Sequence, residues 1–142
     1  MSQKICLTIP ANYDNVALID MCIKGLHSLI HLEADEQEVV YLCIVEAINN
    51  VIEHSTSDKK SLLSVTLSFS NQLLYIEILD KGKGMNPAIL EQIEQPIIDV
   101  NDIQNLPEGG WGLHLIKTHM DKIEYRQRGD NNCFLMVKRL NP

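Results

Sequence analysis

The sequence has little positive charge and few aromatic residues. Among 142 residues, 12 are Lys or Arg and 19 are Asp or Glu, which gives a formal net charge of −7 with histidines neutral. Proteins that hold nucleic acid through its phosphates need clustered basic residues. We therefore do not expect this chain to bind nucleic acid directly.

The sequence also lacks a zinc-binding cysteine motif, a leader and a long apolar run. Its cysteines, Cys6, Cys22, Cys43 and Cys133, show no C-x-x-C spacing, and no basic-then-apolar segment stands at the N-terminus. Neither a disulfide framework nor a zinc ribbon is expected from this pattern. The apolar stretches end well before the roughly 20 residues that a membrane-spanning helix needs. We expect a cytoplasmic protein with no membrane span.

The composition that is present suits one folded domain. Apolar residues make up 45% of the sequence and charged residues 22%, which is the balance of a globular domain. A chain of this length can bury roughly two-thirds of its unfolded surface. Because no internal repeat and no linker is found, we predict a single domain over residues 1–142.

The periodicity of apolar residues predicts five strands and three helices. Strands are expected at 4–9, 62–69, 73–79, 122–128 and 132–139, with helices from Asn12 or Asp14 to about Leu32, from Asp35 to Ser55, and from Trp111 to Met120. A proline-containing stretch at about 85–110 has little strand pattern, and we interpret it as a lid over a ligand. The order β-α-α-β-β-(lid)-α-β-β predicts an α+β two-layer sandwich, with a mixed, mostly antiparallel sheet and helices on one face.

The second predicted helix carries a polar stripe. Steps of about 100° per residue place Glu46, Asn50, Glu53 and His54 within an arc of roughly 100°, beside an apolar face. Carboxylate and carboxamide oxygens at this edge of the core can hold a hard cation. The alternative is an ordinary solvated flank of an amphipathic helix.

An acidic residue and two glycines follow a predicted strand. In Asp80-Lys81-Gly82-Lys83-Gly84, the strand end can aim the Asp80 carboxylate into a cleft, and the glycines allow the backbone to approach a ligand closely. Asp80 is a candidate acceptor for an exocyclic amine. The alternative is a plain turn.

A third glycine-containing segment opens the last predicted helix. In Gly109-Gly110-Trp111-Gly112, free backbone amides at a helix N-terminus form an anion site that a phosphate can approach closely. The alternative is a flexible hinge. The spacing matches neither G-x-x-x-x-G-K-[ST] nor G-x-G-x-x-G, so a Walker or Rossmann site is not supported.

In this order and at these separations, the segments EAINNVIEH, LDKGKGM and GGWGLHLI resemble the N, G1 and G2 boxes of the GHKL (Bergerat-fold) ATPase superfamily. Within the superfamily the chain is most similar to the anti-sigma-factor serine kinases, over nearly its whole length. The resemblance implies a Bergerat fold that binds ATP with Mg²⁺.

The resemblance also implies roles for individual residues. Glu46 matches the catalytic base, Asn50 the magnesium ligand and Asp80 the residue that binds the adenine amino group. Asn132-Cys133 takes the place of a Gly-Thr pair in which Thr contacts adenine. The implied nucleotide contacts are Asn50, Asp80, Gly82, Gly84, Gly109, Gly110, Trp111, Gly112, Leu113 and Cys133.

The function implied by the resemblance is that of an ATP-dependent protein serine kinase. It would transfer the γ-phosphate of ATP to a serine of a STAS-type anti-anti-sigma protein and sequester a sigma factor, as a homodimer. The alternative is a nucleotide-sensing, protein-binding regulator without phosphotransfer activity. Two departures from the family pattern favour the alternative. Cys133 stands where the family has the threonine that contacts adenine. The first helix has Lys24 as its only basic residue, whereas well-known members carry an arginine there.

Overall fold

The structure, a computed structural model, describes residues 3–56, 58, 60–88 and 111–141. Along the chain these form β1 (Gln3–Pro10), α1 (Tyr13–Lys24), a 3₁₀ helix (His27–Leu29), α2 (Ala34–His54), β2 (Leu62–Ser70), β3 (Leu73–Asp80), α3 (Trp111–His119), β4 (Lys122–Arg128) and β5 (Asn131–Arg139). The order of strands and helices agrees with the one predicted. Most of the predicted lid, including Gly109 and Gly110, lies outside the described residues.

The strands form one 5-stranded sheet with the order β1-β2-β3-β5-β4. Each neighbouring pair in the described sheet is antiparallel, so the α+β class is confirmed and no parallel pair appears in this part of the chain. Asn71 and Gln72 connect β2 to β3 with φ angles of 52° and 63°. Positive φ at two consecutive loop residues is the signature of a tight hairpin turn whose twist matches the strands.

The core lies between the helices and one face of the sheet. Side chains of a strand alternate between its two faces, and most inward-facing residues of β2, β3 and β5 are apolar. Full burial of such a side chain contributes about 1.5–3 kcal/mol relative to exposure. The buried apolar side chains include Leu63, Val65, Leu67, Leu74, Ile76, Ile78, Phe134 and Met136 from the sheet, and Ile19, Ile23, Ile44, Ile48 and Val51 from α1 and α2.

The first helix is shorter than its apolar spacing predicts. Asn12 caps it as expected, because its side chain accepts a hydrogen bond from the Asp14 amide at 3.1 Å. The helix ends at Lys24, where Gly25 is the C-cap, instead of continuing to about Leu32. Apolar spacing continues beyond Gly25 because Leu26, before the 3₁₀ turn, packs partly buried against the core and Ile30, after it, is buried there.

The second helix begins at Ala34, one residue before the predicted cap. Glu33 occupies the cap position without a side-chain hydrogen bond, and Asp35 lies in the first turn. Acidic residues in a first turn still interact favourably with the helix dipole. No helix within the described ranges is long and apolar enough to cross a membrane.

Candidate functional site

Asp80, at the end of β3, is the centre of a buried polar cluster. Its side chain is buried, and Oδ1 accepts hydrogen bonds from Ser55 Oγ at 2.5 Å, Gly82 N at 2.8 Å and Asn132 Nδ2 at 3.1 Å. Its Oδ2 is also buried and has no hydrogen-bond partner among the residues that the structure describes. A buried acceptor left unpaired costs about 1–3 kcal/mol. This oxygen is therefore suited to a donor from a ligand.

The loop after β3 is held against the end of α2. Ser55 Oγ accepts a hydrogen bond from Gly84 N at 3.1 Å, and Met85 N donates to the Tyr125 hydroxyl at 2.7 Å. A Cβ at position 82 would collide with the Ser55 carbonyl, and Gly84 has a φ of +82°. Glycine is required at Gly82 by close approach and favoured at Gly84 by a left-handed backbone. The two glycines thus give the loop its path beside Asp80.

Glu46 and Asn50 stand one turn apart on α2. The Asn50 side-chain nitrogen donates to the Glu46 carbonyl oxygen at 2.8 Å. Because this bond uses the amide nitrogen, Asn50 Oδ1 is the atom that remains to ligate a cation. Both side chains are half-buried at the margin of the core, as the predicted stripe requires.

The first turn of α3 packs against Glu46. A Cβ added at Gly112 would collide with the Glu46 carboxylate and would stand 3.1 Å from its carboxyl carbon and 3.2 Å from its Cβ. The absence of a side chain at Gly112 therefore lets the helix N-terminus approach the carboxylate. Free amides of a helix N-terminus also favour an anion such as a phosphate. The structure thus brings together Glu46, Asn50 and Gly112, although Gly112 is far from the other two in sequence.

The predicted nucleotide contacts at the start of α3 are placed only in part. Gly109 and Gly110 lie outside the described residues, and Trp111 is described only as the first residue of α3. The Leu113 side chain is buried in the core, which leaves its backbone as the part able to face a ligand. The roles assigned to these residues stay predictions.

The geometry contradicts the predicted adenine contact of Cys133. Adjacent side chains of a strand point to opposite faces, and Asn132, opposite Asp80 in the sheet, is the one on the site side. Cys133 lies opposite Leu79 on the other face. Burial raises the pKa of its thiol, and the nearby Glu77 carboxylate raises it further. The residue at this place in the site is Asn132.

Sequence reasoning missed Ser55 and Asn132 as members of the site. Asn132 could have been identified from the strand pattern. It stands two residues before Phe134 and four before Met136, so its side chain shares their inward-facing side and points towards the core although it is polar. Ser55 gave no comparable signal. A serine after a helix end usually faces solvent, and only the packing of α2 against β3 shows that this one is buried.

The antiparallel sheet with helices on one face, and a Glu–Asn pair on α2 approached by the start of α3, agree with a nucleotide-binding domain of the Bergerat type. The sequence profile of the histidine kinase-like ATPase domain matches residues 9–138. The chain belongs to this family. Its nucleotide is accordingly ATP.

The chain is similar to proteins named serine-protein kinase RsbW. With that of Bacillus mycoides (strain KBAB4) it is 30% identical over 123 residues, which cover 86% of this chain and 76% of the relative. With that of Halalkalibacterium halodurans it is 27% identical over 125 residues, covering 88% and 76%.

Solved structures with the same fold include two that are much more distant in sequence. The RsbU and RsbW domains of Rv1364c from Mycobacterium tuberculosis align with a TM-score of 0.63 at 12% identity, over 99% of this chain and 33% of that one. The SiaB-SiaC complex from Pseudomonas aeruginosa aligns with a TM-score of 0.57 at 11% identity, over 94% and 88%. These likenesses establish the fold alone.

Proposed function

We propose that this chain is an ATP-dependent protein serine kinase of the cytoplasm, acting as a homodimer. It transfers the γ-phosphate of ATP to a serine of a STAS-type anti-anti-sigma protein, and it sequesters a sigma factor. The observation that carries the proposal is that α2 holds Glu46 and Asn50 one turn apart, with Gly112 of α3 against the Glu46 carboxylate. Ser55, at the end of the same helix, joins the buried Asp80 cluster. The relatives named serine-protein kinases support the reaction type.

The residues present fit ATP and Mg²⁺. The open, buried Oδ2 of Asp80 is an acceptor, and the adenine amino group is a donor. Asn50 would hold Mg²⁺, since amide oxygens are suitable ligands for a hard cation, and the start of α3 at Gly112 would face the phosphates. When bound, ATP supplies the phosphoryl group and Mg²⁺ neutralises the negative charge of the phosphates.

Glu46 is proposed to act as the general base. Its carboxylate would take the proton of the substrate serine hydroxyl while the hydroxyl oxygen bonds to the γ-phosphorus and the bond from that phosphorus to ADP breaks, releasing ADP. The proton transfer requires hydrogen-bond reach of about 2.6–3.2 Å. The backbone at Gly112 limits where the carboxylate can lie. Phosphoryl transfer depends mainly on such positioning.

The test uses ATP labelled in its γ-phosphate and purified STAS-type proteins from the same genome. Label is expected on a serine of one of them, in a reaction that requires the kinase chain and magnesium.

The second candidate function is a nucleotide-sensing regulator without phosphotransfer. It is favoured because Lys24, the only basic residue of α1, is already paired with Asp20 of the same helix at 3.0 Å, where well-known kinases of the family carry an arginine. ATP-dependent binding of a STAS protein without labelled serine would decide for that candidate.

Asn50→Ala is expected to remove the magnesium dependence of ATP binding, because the variant lacks the oxygen proposed to ligate the cation. Calorimetric titration with ATP should show a tighter complex with magnesium than without it in the wild type and no difference in the variant. Asn49→Ala, at the adjacent position of α2, is the matched control. An unchanged magnesium effect in Asn50→Ala would remove Asn50 from the metal site.

Gly112→Ala is expected to slow transfer by about 100-fold, because a new methyl group forces the Glu46 carboxylate to move and small displacements of a reacting group have effects of this size. Any loss of stability should be small, because the atom that overlaps most is the mobile end of the Glu46 side chain and alanine is the better helix former. Initial rates and thermal unfolding midpoints measure the two effects. Gly25→Ala, at the end of α1, is the control, and equal rates for both variants would exclude positioning by Gly112.

A further inference from the structure

One row of α2 continues past the proposed catalytic pair to an exposed leucine. Leu42, Glu46 and Asn50 are spaced four residues apart, so they lie on one side of the helix with steps of about 6 Å. Asn50 stands towards the nucleotide end of the row, and Leu42 stands one turn beyond Glu46 in the other direction. Leu42 is 47% exposed, although most other large apolar residues of α2 are buried.

Leu42 and Glu46 form one wall of a groove between α2 and α3. The cavity has a volume of about 320 Å³, and its opposite wall is built by Gly112, His114, Leu115, Thr118 and His119 of α3. The Thr118 hydroxyl donates to the His114 carbonyl oxygen at 2.8 Å, so this polar group is already satisfied within α3. The α2–α3 groove therefore combines apolar side chains and two histidines with the Glu46 carboxylate.

We propose that the α2–α3 groove binds the extended segment of the protein substrate that carries the phosphoacceptor serine. An apolar side chain of that segment packs on Leu42 and Leu115 while the serine hydroxyl reaches Glu46. The inference rests on the proposed kinase function and adds the surface by which the substrate is recognised.

The chemistry of Glu46 selects this occupant. A hydroxyl that loses its proton to Glu46 must come within hydrogen-bond reach of the carboxylate. The substrate residues next to that serine then lie about 6 Å away, and Leu42, one turn of α2 from Glu46, is at about this distance. Among the described residues that line the groove, Glu46 is the only one with a carboxylate, which suits a neutral hydroxyl and disfavours an acidic side chain at the same place.

The size of the groove agrees with an extended segment. A volume of about 320 Å³ is at the lower end of ligand pockets, which span about 300–1,000 Å³. It accommodates a few side chains of a bound segment. A segment that presents its serine together with neighbouring side chains at this surface fits it.

The test is Leu42→Gln, with Leu62→Gln as the matched control. Both leucines are exposed, at 47% and 59%, and Leu62 stands at the start of β2, outside the groove. Loss of one apolar contact should raise the KM for the STAS protein about tenfold in Leu42→Gln, with kcat changed by less than about twofold and ATP affinity unchanged. Leu62→Gln should match the wild type.

Equal KM values for Leu42→Gln and the wild type would overturn the inference. A changed molecular mass in light scattering with an unchanged KM would assign the groove to a second copy of this chain and overturn it too. If the wild type produces no phosphoserine, the kinase proposal fails, and binding of the same STAS protein then tests the groove by calorimetry. Weaker binding by Leu42→Gln alone supports it, while equal binding, or none by the wild type, overturns it.

Discussion

Glu46→Gln is expected to reduce phosphoryl transfer to the STAS protein by about 10²- to 10⁴-fold, the usual contribution of a general base. Glutamine has nearly the same shape, so the contact with Gly112 and the packing of α3 should persist. The amide cannot accept the proton of the serine hydroxyl. The reduction should therefore appear in kcat, while the affinities for ATP and for the substrate protein change little.

Single-turnover transfer of labelled phosphate and calorimetric ATP binding measure the two quantities on the same preparation. Glu36→Gln is the matched control, because it makes the same substitution at an exposed position in the first turn of α2. Undiminished transfer in Glu46→Gln would show that another group accepts the proton. A parallel loss of ATP binding would instead indicate that Glu46 holds the nucleotide or the metal.

Asp80→Asn is expected to reverse the base preference of the nucleotide site. Asp80 Oδ1 accepts three hydrogen bonds, so the amide introduced by the substitution must keep its oxygen there and place its nitrogen where Oδ2 stood. That nitrogen is a donor and meets the adenine amino group, another donor. Because a hydrogen bond to a charged group contributes about 1.5–3 kcal/mol, ATP affinity should fall about 10- to 100-fold.

Inosine triphosphate carries an oxygen in place of the adenine amino group and provides the contrast. It should bind the wild type weakly, because its oxygen faces the acceptor Oδ2, and should bind Asp80→Asn more tightly than ATP does. Glu77→Gln is the control, since Glu77 lies on the same strand but on the opposite face of the sheet. Equal losses for both nucleotides in Asp80→Asn would show that Asp80 supports the fold of the site without selecting the base.

Much of the fold follows from local patterns. Strand alternation in β2 and β3 and helical spacing in α2 were sufficient to predict these elements within about two residues, because each buries one face and side-chain direction is set by the backbone period. The end of α1 was predicted wrongly at Leu32. Apolar spacing reports burial, and it continues after Gly25 although the helix has ended.

The candidate site was predictable where a motif carries its own chemistry. Glu46, Asn50 and Asp80 were identified as polar residues at the margins of apolar elements, and the structure places Glu46 against Gly112 and Asp80 beside Gly82. Cys133 was not assigned correctly, because a shift of one residue along a strand moves a side chain to the other face. In the sheet Asp80 lies opposite Asn132, which shows that Asn132 and not Cys133 faces the site.

Element order, the α+β class, and the glycines and acids of the three motifs could be read from the residues alone, because they depend on short-range periodicity and residue type. Three features became visible only in the folded chain: Ser55 and Asn132 hold one Asp80 oxygen while the other stays open, Gly112 contacts Glu46, and Leu42 borders a groove. Each of these requires elements distant in sequence to pack together, and no local pattern specifies the distance between such side chains.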